Sequence, residues 1–221
     1  MLRSACTLAV QLLPGVLLLL LGWGLNDAPG FFRNPARSGL VALALMAAAV
    51  ATLLQLDVYP LRRGIAPVGN QSLHLAVLML LSLALLWFLP FADRRGLLTF
   101  HHERWRYLGL LLCCMGVAVR IAALKALGKH FSAYVTLQPD HQLAEQGIYA
   151  RIRHPLYLSL LLATSGVALV FASWLALPIF ALAAAFVFDR IRSEERMLAL
   201  HFGSEFEDYR RRTWKLVPFL F

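Results

Sequence analysis

Long apolar runs are the feature that most limits what this chain can fold into. Four of them lie ahead of the longest polar stretch, at 8–25, 40–58, 73–91 and 107–127. Each is close to the ~20 residues that a helix needs to cross the hydrocarbon core of a bilayer. With 60% hydrophobic and only 15% charged residues, the chain is also too apolar for an ordinary soluble domain. These features predict an all-α integral membrane protein.

A fifth apolar block, at 155–188, is too long for a single span and short for two ordinary ones. We interpret it as a short helical hairpin that turns near Ala172 and Ser173, with Trp174 at the far interface. The prediction is therefore about six transmembrane helices, of which the last two form this hairpin.

Polar and aromatic residues after the hairpin predict a final helix outside the membrane. Gly203 is expected to end the helix that leaves the hairpin. Next to Gly203 and beyond it, Phe202, Phe206 and Tyr209 fall on one face at helical spacing, which suits docking against the bundle or the membrane surface. We expect this C-terminal helix to be cytoplasmic.

The distribution of arginine predicts the orientation of the helices. Positive residues gather on the cytoplasmic side of membrane proteins. With the amino terminus inside, the inner segments hold Arg3, Arg62, Arg63, Lys129, Arg151, Arg153 and the C-terminal arginines, and the outer loops hold Arg33, Arg37, Arg94, Arg95, Arg104 and Arg106. Both termini are then cytoplasmic. The excess of arginine over lysine, with spans rich in alanine and leucine, favours a bacterial inner membrane.

The net charge of +9 is also typical of a membrane protein, because the basic residues cluster beside the apolar runs. No soluble basic face and no recognition motif is evident, so we expect no nucleic-acid partner. Cys6, Cys113 and Cys114 lie in apolar runs without a CxxC pair, which argues against a disulfide or a zinc site. HExxH and GxGxxG are absent as well, so we expect neither a metal nor a Rossmann nucleotide site.

The longest polar interval, 130–157, separates the fourth run from the hairpin. It contains histidines, prolines, tyrosines, arginines and a glycine, chemistry that a simple connector between two membrane helices does not need. Loops held by a rigid scaffold are frequent positions for functional sites. We therefore divide the chain into N-terminal helices at 1–106 and a functional core at 107–221, in which the segment 128–157 is the candidate binding segment.

Five short motifs in this core occur in a characteristic order. They are an FSxxVxLQxxHxL-like run at 131–143, GxY at 147–149, RHPxY at 153–157, the pair EE at 194–195 and FGxEFxxY at 202–209. Together they resemble the isoprenylcysteine carboxyl methyltransferase and phospholipid methyltransferase family of integral membrane enzymes, over roughly residues 110–218. The family usually continues RHPxY with a glycine, where this chain has Ser159.

The resemblance implies a methyltransferase that uses S-adenosylmethionine and a lipophilic acceptor. By this likeness the cofactor would contact Gln138, His141, Leu143, Gly147, Tyr149, Arg153, His154, Pro155, Tyr157 and Glu194. The chemistry of several of these residues suits the cofactor. Pro155 at the first helical position leaves backbone N–H groups for a carboxylate. Glu194 or Glu195 would hold the ammonium, and tyrosine rings would face the sulfonium or the adenine.

Three residues are assigned to catalysis: Glu195, Arg192 and Tyr157. Tyr157 would help orient the sulfonium. Glu195 would take a proton if the acceptor is an amine, and Arg192 or Arg120 would orient a carboxylate. An arginine inside a membrane span is costly and suggests function, so Arg120 is assigned to the substrate, although snorkelling beside Lys125 explains it comparably well.

Each assignment has a purely structural alternative. A histidine before a proline can simply cap a helix, and Glu194 with Glu195 can pair with neighbouring arginines on a solvated helix end. An isoprenylcysteine-type carboxylate is the favoured acceptor, with a phospholipid or a small thiol as the alternative. A sterol-type NADPH membrane reductase and a non-enzymatic bundle are the rival functions.

Overall fold

The computed structural model describes residues 14–54, 56, 71–100, 102–127, 143–174 and 176–218. Within this part of the chain the structure is helical, and the longer helices overlap the predicted apolar runs. They are α1 (Pro14–Trp23), α2 (Ala28–Phe32), α3 (Pro35–Leu53), α4 (Gln71–Arg95), α5 (Glu103–Leu127), α6 (Pro155–Val170), α7 (Ala176–Phe202) and α8 (Ser204–Arg212).

The membrane class is confirmed by the length and composition of these helices. α3 and α5 are each long and apolar enough to cross a bilayer. α1 and the helical turns from 25 to 32 would make a third span if this pair, bent by 84°, crosses as one. Gly24 lies at the bend with φ 109°, a conformation that glycine adopts readily. Six spans and a cytoplasmic C-terminal helix remain predictions.

The last two apolar helices form the predicted hairpin. α6 ends at Val170 and α7 begins at Ala176, and the buried Ala172 and Ser173 lie in the turn between them. Trp174 is 55% exposed there, as expected of an interface residue. α7 continues past the predicted end of the hairpin at 188, and Gly203, with φ 54°, follows its last residue, as predicted.

α5 and α6 pack against each other along a line of small residues. A Cβ atom added at Gly109 would lie 2.6 Å from the carbonyl oxygen of Gly166, and one added at Gly116 would lie 3.0 Å from the carbonyl oxygen of Ser159. Small residues permit such backbone approaches between membrane helices. Ser159, the departure from the family pattern, is fully buried, and its hydroxyl donates to the carbonyl oxygen of Leu156 at 2.7 Å. The replacement of glycine therefore keeps the close packing.

A buried ion network joins the helices at the end of the bundle where α3 begins. The Asp93 carboxylate accepts from Arg37 at 2.9 Å and from Arg106 at 2.6 Å. Arg106 also donates to the carbonyl oxygen of Val170 at 2.7 Å, at the end of α6. Burying these charges costs solvation, and their mutual hydrogen bonds offset that cost. The network links α3, α4 and α5 to the α6–α7 turn.

Candidate active site

The opposite end of α6 is where the sequence-predicted site residues meet. A 3-10 turn, Gly147–Ala150, leads toward α6, and Glu194 and Glu195 lie across from its first turn on α7. Pro155 is the first residue of α6, which leaves His154 in the N-cap position. The segment 213–216 after α8 runs alongside; we call it the C-terminal strap.

His154 faces the carboxylate pair and does not cap the helix with its side chain. Its imidazole makes no capping hydrogen bond. Nε2 lies 3.2 Å from Glu195 Oε1, and Nδ1 lies 4.0 Å from Glu194 Oε2. The residue is buried. The His154 side chain therefore contacts the carboxylate pair and makes no hydrogen bond that caps α6.

Tyr157, in the first turn of α6, contacts two residues of α7, Glu194 and Arg190. Its hydroxyl donates to Glu194 Oε2 at 2.9 Å and accepts from Arg190 Nε at 2.7 Å. The rings of His154 and Tyr157 lie 5.8 Å apart between centroids. Two side chains of the RHPxY motif thus each contact one member of the glutamate pair, and the motif and the pair form one cluster.

Glu195 is surrounded by basic groups. Its Oε1 accepts from Arg153 Nε at 3.1 Å, and its Oε2 lies 3.4 Å from Lys215 Nζ. Burial opposes ionisation of this carboxylate, but the hydrogen bond and charge of His154, with the charges of Lys215 and Arg153, outweigh it and lower the pKa of Glu195 to about 2. Glu195 is therefore held ionised, and it is a poor proton acceptor.

The C-terminal strap holds the RHPxY segment through backbone and side-chain bonds. The N–H groups of Arg153 and His154 donate to the carbonyl oxygens of Trp214 and Lys215, at 2.8 Å and 3.1 Å. Arg153 Nη1 also donates to the backbone and hydroxyl oxygens of Thr213. These bonds fix the backbone that carries His154.

Tyr149 and Gly147 shape the approach to the cluster. Gly147 has φ 61°, a left-handed conformation that favours glycine, and a Cβ there would lie 3.2 Å from Ala126 of α5. Tyr149 is buried, and its carbonyl oxygen accepts from the hydroxyl of Tyr209 at 2.8 Å. Burial and the charge of Glu194 raise the pKa of Tyr149, so its phenol stays neutral.

The two arginines proposed for the acceptor lie in different environments. Arg120 is half-buried on α5, and its positive charge acts on the phenol of Tyr149. Arg192 is exposed on α7, and within the described residues it makes none of the contacts that build the cluster. Leu143 is half-buried and Pro155 is fully buried. Gln138 and His141 lie outside the described residues.

Sequence reasoning missed several residues that hold this cluster together. Arg190, one helical turn before Glu194, was among the arginines expected to pair with the glutamates, but its contact with the Tyr157 hydroxyl was not predicted. Tyr209 belongs to the FGxEFxxY motif but was expected only to dock the helix. Thr213 and Lys215 carry no periodic or motif signal, because their contacts depend on how the strap folds back.

The fold and this cluster define a class of protein: an all-helical integral membrane protein with a polar, carboxylate-rich site at one end of its last hairpin. Residues 108–200 match the model of the isoprenylcysteine carboxyl methyltransferase (ICMT) family. The family resemblance found in the sequence is thereby confirmed: over this region the chain is similar to the ICMT family.

Individual relatives show the same similarity. The chain is 32% identical over 116 residues to a protein-S-isoprenylcysteine O-methyltransferase of Tribolium castaneum, an alignment that covers 51% of this chain and 41% of the relative. It is 34% identical over 116 residues to the Saccharomyces cerevisiae protein of the same name, covering 51% of this chain and 48% of the relative. The chain thus spans about half the length of the curated relatives it matches.

A solved structure shares the fold. It is the structure of a eukaryotic intramembrane Ras methyltransferase, an isoprenylcysteine carboxyl methyltransferase, without a monobody. The TM-score is 0.57, with 23% identity and coverage of 98% of this chain and 75% of that chain. At this identity the likeness concerns the fold alone.

Proposed function

We propose that this protein is an S-adenosylmethionine-dependent membrane methyltransferase, and that its acceptor is a lipophilic molecule with a carboxylate of the isoprenylcysteine type. One observation carries the proposal. Glu194 and Glu195, from α7, contact Tyr157 and His154, from the RHPxY motif, at 2.9 Å and 3.2 Å. A structural helix end has no need of such a cluster of a histidine, a tyrosine and two carboxylates.

The donor set in this cluster fits the charges of the cofactor. Glu194 is the freer carboxylate, with 30% of its side chain exposed, and it would bind an ammonium group. The amino-terminal end of α6 would attract a carboxylate. The rings of Tyr157 and His154 would lie beside the sulfonium or the adenine, and Leu143, Gly147 and Tyr149 would line the approach. Gln138 and His141 are proposed for the same pocket on the family resemblance.

Glu195 and Arg153 have a positioning role in this proposal. With a pKa of about 2, Glu195 is too weak a base to deprotonate an amine. Its contacts with His154, Arg153 and Lys215 instead keep the imidazole and the strap in place. We therefore assign cofactor contact to Glu194 and support of that contact to Glu195.

A carboxylate acceptor suits this arrangement best. S-adenosylmethionine supplies a methyl group on a positively charged sulfur, and a carboxylate is already an ionised nucleophile. The protein then needs to orient the two groups and to exclude water, without supplying a base. Arg120, on a helix apolar enough to cross the membrane, would bind the acceptor carboxylate, while Tyr157 would restrict the orientation of the donor. The exposed Arg192 is the weaker candidate for the same role.

The cellular location is proposed on the arginine distribution alone. We propose that both termini and the site lie on the cytoplasmic side. The relatives named above are eukaryotic, so they lend no support to the expected bacterial inner membrane.

The experiment compares acceptors that share one prenyl tail but carry a carboxylate, an amine or a thiol. The purified protein in detergent receives S-adenosylmethionine with a labelled methyl group, and product is separated by extraction. We expect label in a base-labile methyl ester of the S-prenylcysteine. Transfer to the amine or thiol but not to the carboxylate would refute the acceptor assignment. Failure to bind S-adenosylhomocysteine, with binding of NADPH, would refute the methyltransferase proposal in favour of a reductase.

A further inference from the structure

A cleft between α1 and α4 lies at the end of the bundle away from the proposed active site. α1 and α4 cross closely, because a Cβ at Gly22 would collide with the backbone of Trp87. Beyond this crossing the helices leave a cavity of about 460 Å³. Its walls include Gly24, Asn26, Trp87, Arg94 and Arg95. A cavity of this volume is in the range of small-molecule sites.

The polar end of the cleft carries two positive charges. Arg94 donates to the carbonyl oxygen of Trp23 and to Asn26 Oδ1. Its Nη2 also forms an ion pair with Asp27 Oδ2 at 3.9 Å. Arg95 is exposed, and its guanidinium lies 3.8 Å from the ring centre of Phe91. Among the described contacts of Arg95 there is no ion pair with a carboxylate. One charge is thus partly neutralised, and the other is available to a ligand.

Below these arginines the cleft is aromatic and aliphatic. Trp87 stacks on Phe91 with ring centres 5.2 Å apart, and Trp87 is 42% exposed. Leu21 of α1 also lines the cleft, and one helical turn further along each helix lie the exposed Leu17 on α1 and Leu83 on α4. From the cleft to the helix surfaces beyond it, the order is cation, aromatic ring, aliphatic side chain. The same order, from headgroup to acyl chain, describes a phospholipid at a membrane interface.

We propose that this cleft is a binding site for an anionic phospholipid, with its phosphate at Arg94 and Arg95 and an acyl chain along Leu17, Leu21, Leu83 and Trp87. Guanidinium groups bind phosphate oxygens through charge-assisted hydrogen bonds. A headgroup with a net negative charge fits two arginines and one aspartate better than a zwitterionic headgroup does, because a choline ammonium would add a third positive charge beside them. The proposal does not depend on the methyltransferase assignment.

The test measures lipid binding to the full chain by native mass spectrometry from detergent. Phosphatidylglycerol and phosphatidylcholine with identical acyl chains are titrated separately, and soluble glycerol phosphate is the third probe. The variants are Arg95→Gln, Arg95→Lys and the control Arg104→Gln. Arg104 is also exposed, near the start of α5, but does not line the cleft.

We expect the unmodified protein to bind phosphatidylglycerol in preference to phosphatidylcholine. Arg95→Gln should weaken this binding about fivefold, Arg95→Lys should restore most of it, and Arg104→Gln should leave it unchanged. Equal binding of the two lipids would overturn the proposal. So would equal losses in Arg95→Gln and Arg104→Gln, which would indicate diffuse attraction. Equally strong binding of glycerol phosphate would show a phosphate site that does not recognise lipid.

Discussion

At the scale of single residues, Glu195 determines much of the electrostatics of the site. His154, Arg153 and Lys215 all lie within 3.4 Å of its oxygens. Tyr157 and Arg190 form a second, parallel connection to Glu194. The two glutamates are adjacent in sequence but have different partners, and this explains how one can support the site while the other contacts a ligand.

The ionisation of Glu195 predicts how stability depends on pH. Its pKa in the folded protein, about 2, lies below the ordinary value of 4.5. The carboxylate therefore stabilises the fold fully above pH 4.5, and this contribution is lost as pH falls toward 2. Its size is at most roughly 3 kcal/mol. Melting temperatures in detergent should fall more steeply with acid for the unmodified protein than for Glu195→Gln. Parallel curves would show that Glu195 is not held as described.

At the scale of elements, the C-terminal strap links α8 to the RHPxY segment. Thr213 is buried, and its hydroxyl donates to the carbonyl oxygen of Tyr209 at 2.6 Å and accepts from Arg153 at 3.2 Å. Tyr209 in turn donates to the backbone of the 3-10 turn. The strap therefore couples the fold of α8 to the positions of His154 and Tyr149.

Removing the Thr213 hydroxyl should loosen this coupling. We expect Thr213→Val to cost about 1–2 kcal/mol of stability, because buried partners lose their hydrogen bonds. Affinity for S-adenosylhomocysteine should fall as well, since the backbone of the RHPxY segment is less well fixed. Arg211→Gln, an exposed change on α8, is the control for thermal melting and calorimetry. An unaffected ligand affinity in Thr213→Val would show that the strap does not position the site.

The α5–α6 contact gives a second prediction at this scale. In Gly109→Ala the new methyl group would lie 2.6 Å from backbone atoms of both Gly166 and Val170, which cannot rotate away. The helices must separate, at a cost of about 1–3 kcal/mol. Gly15→Ala is the control, because nothing lies within 4 Å of the added atom in α1. Melting temperature should fall for Gly109→Ala and stay constant or rise for Gly15→Ala. Equal tolerance would contradict the close packing.

These elements show what the sequence could predict. The apolar runs and the turn at Ala172 follow from local composition, so the helices and the hairpin were found, and the motifs pointed to His154, Tyr157 and the glutamate pair. The helical turns from 25 to 32 were not predicted, because they follow the end of the first apolar run at 25. The strap was missed because its bonds join segments about 60 residues apart, as between Arg153 and Thr213. Such contacts leave no periodic signal in either segment.

At the scale of the whole molecule, the two ends of the bundle have different chemistry. One end carries the carboxylate cluster and the strap, and the other carries the Arg37–Asp93–Arg106 network and the α1–α4 cleft. In a membrane these ends would face opposite sides. From the arginine distribution we propose that the end with the carboxylate cluster faces the cytoplasm.

Cysteine labelling tests this orientation. In a background without Cys6, Cys113 and Cys114, a cysteine at the exposed Ser204 should react with a membrane-impermeant reagent only from the cytoplasmic side. A cysteine at the exposed Arg104 should react only from the other side. Labelling of both positions from one side would show that the chain does not cross the membrane as proposed.

The central claim, that the Glu194–Glu195 cluster binds the methyl donor, is tested most directly by isothermal titration of the detergent-purified protein with S-adenosylhomocysteine. The unmodified protein should bind. Glu194→Gln should weaken binding by ~1.5–3 kcal/mol, because a charged hydrogen bond to the ligand is lost. Glu205→Gln, which changes an exposed carboxylate on α8, should bind normally. Unchanged affinity in both Glu194→Gln and Glu195→Gln, or no binding by the unmodified protein, would contradict the account.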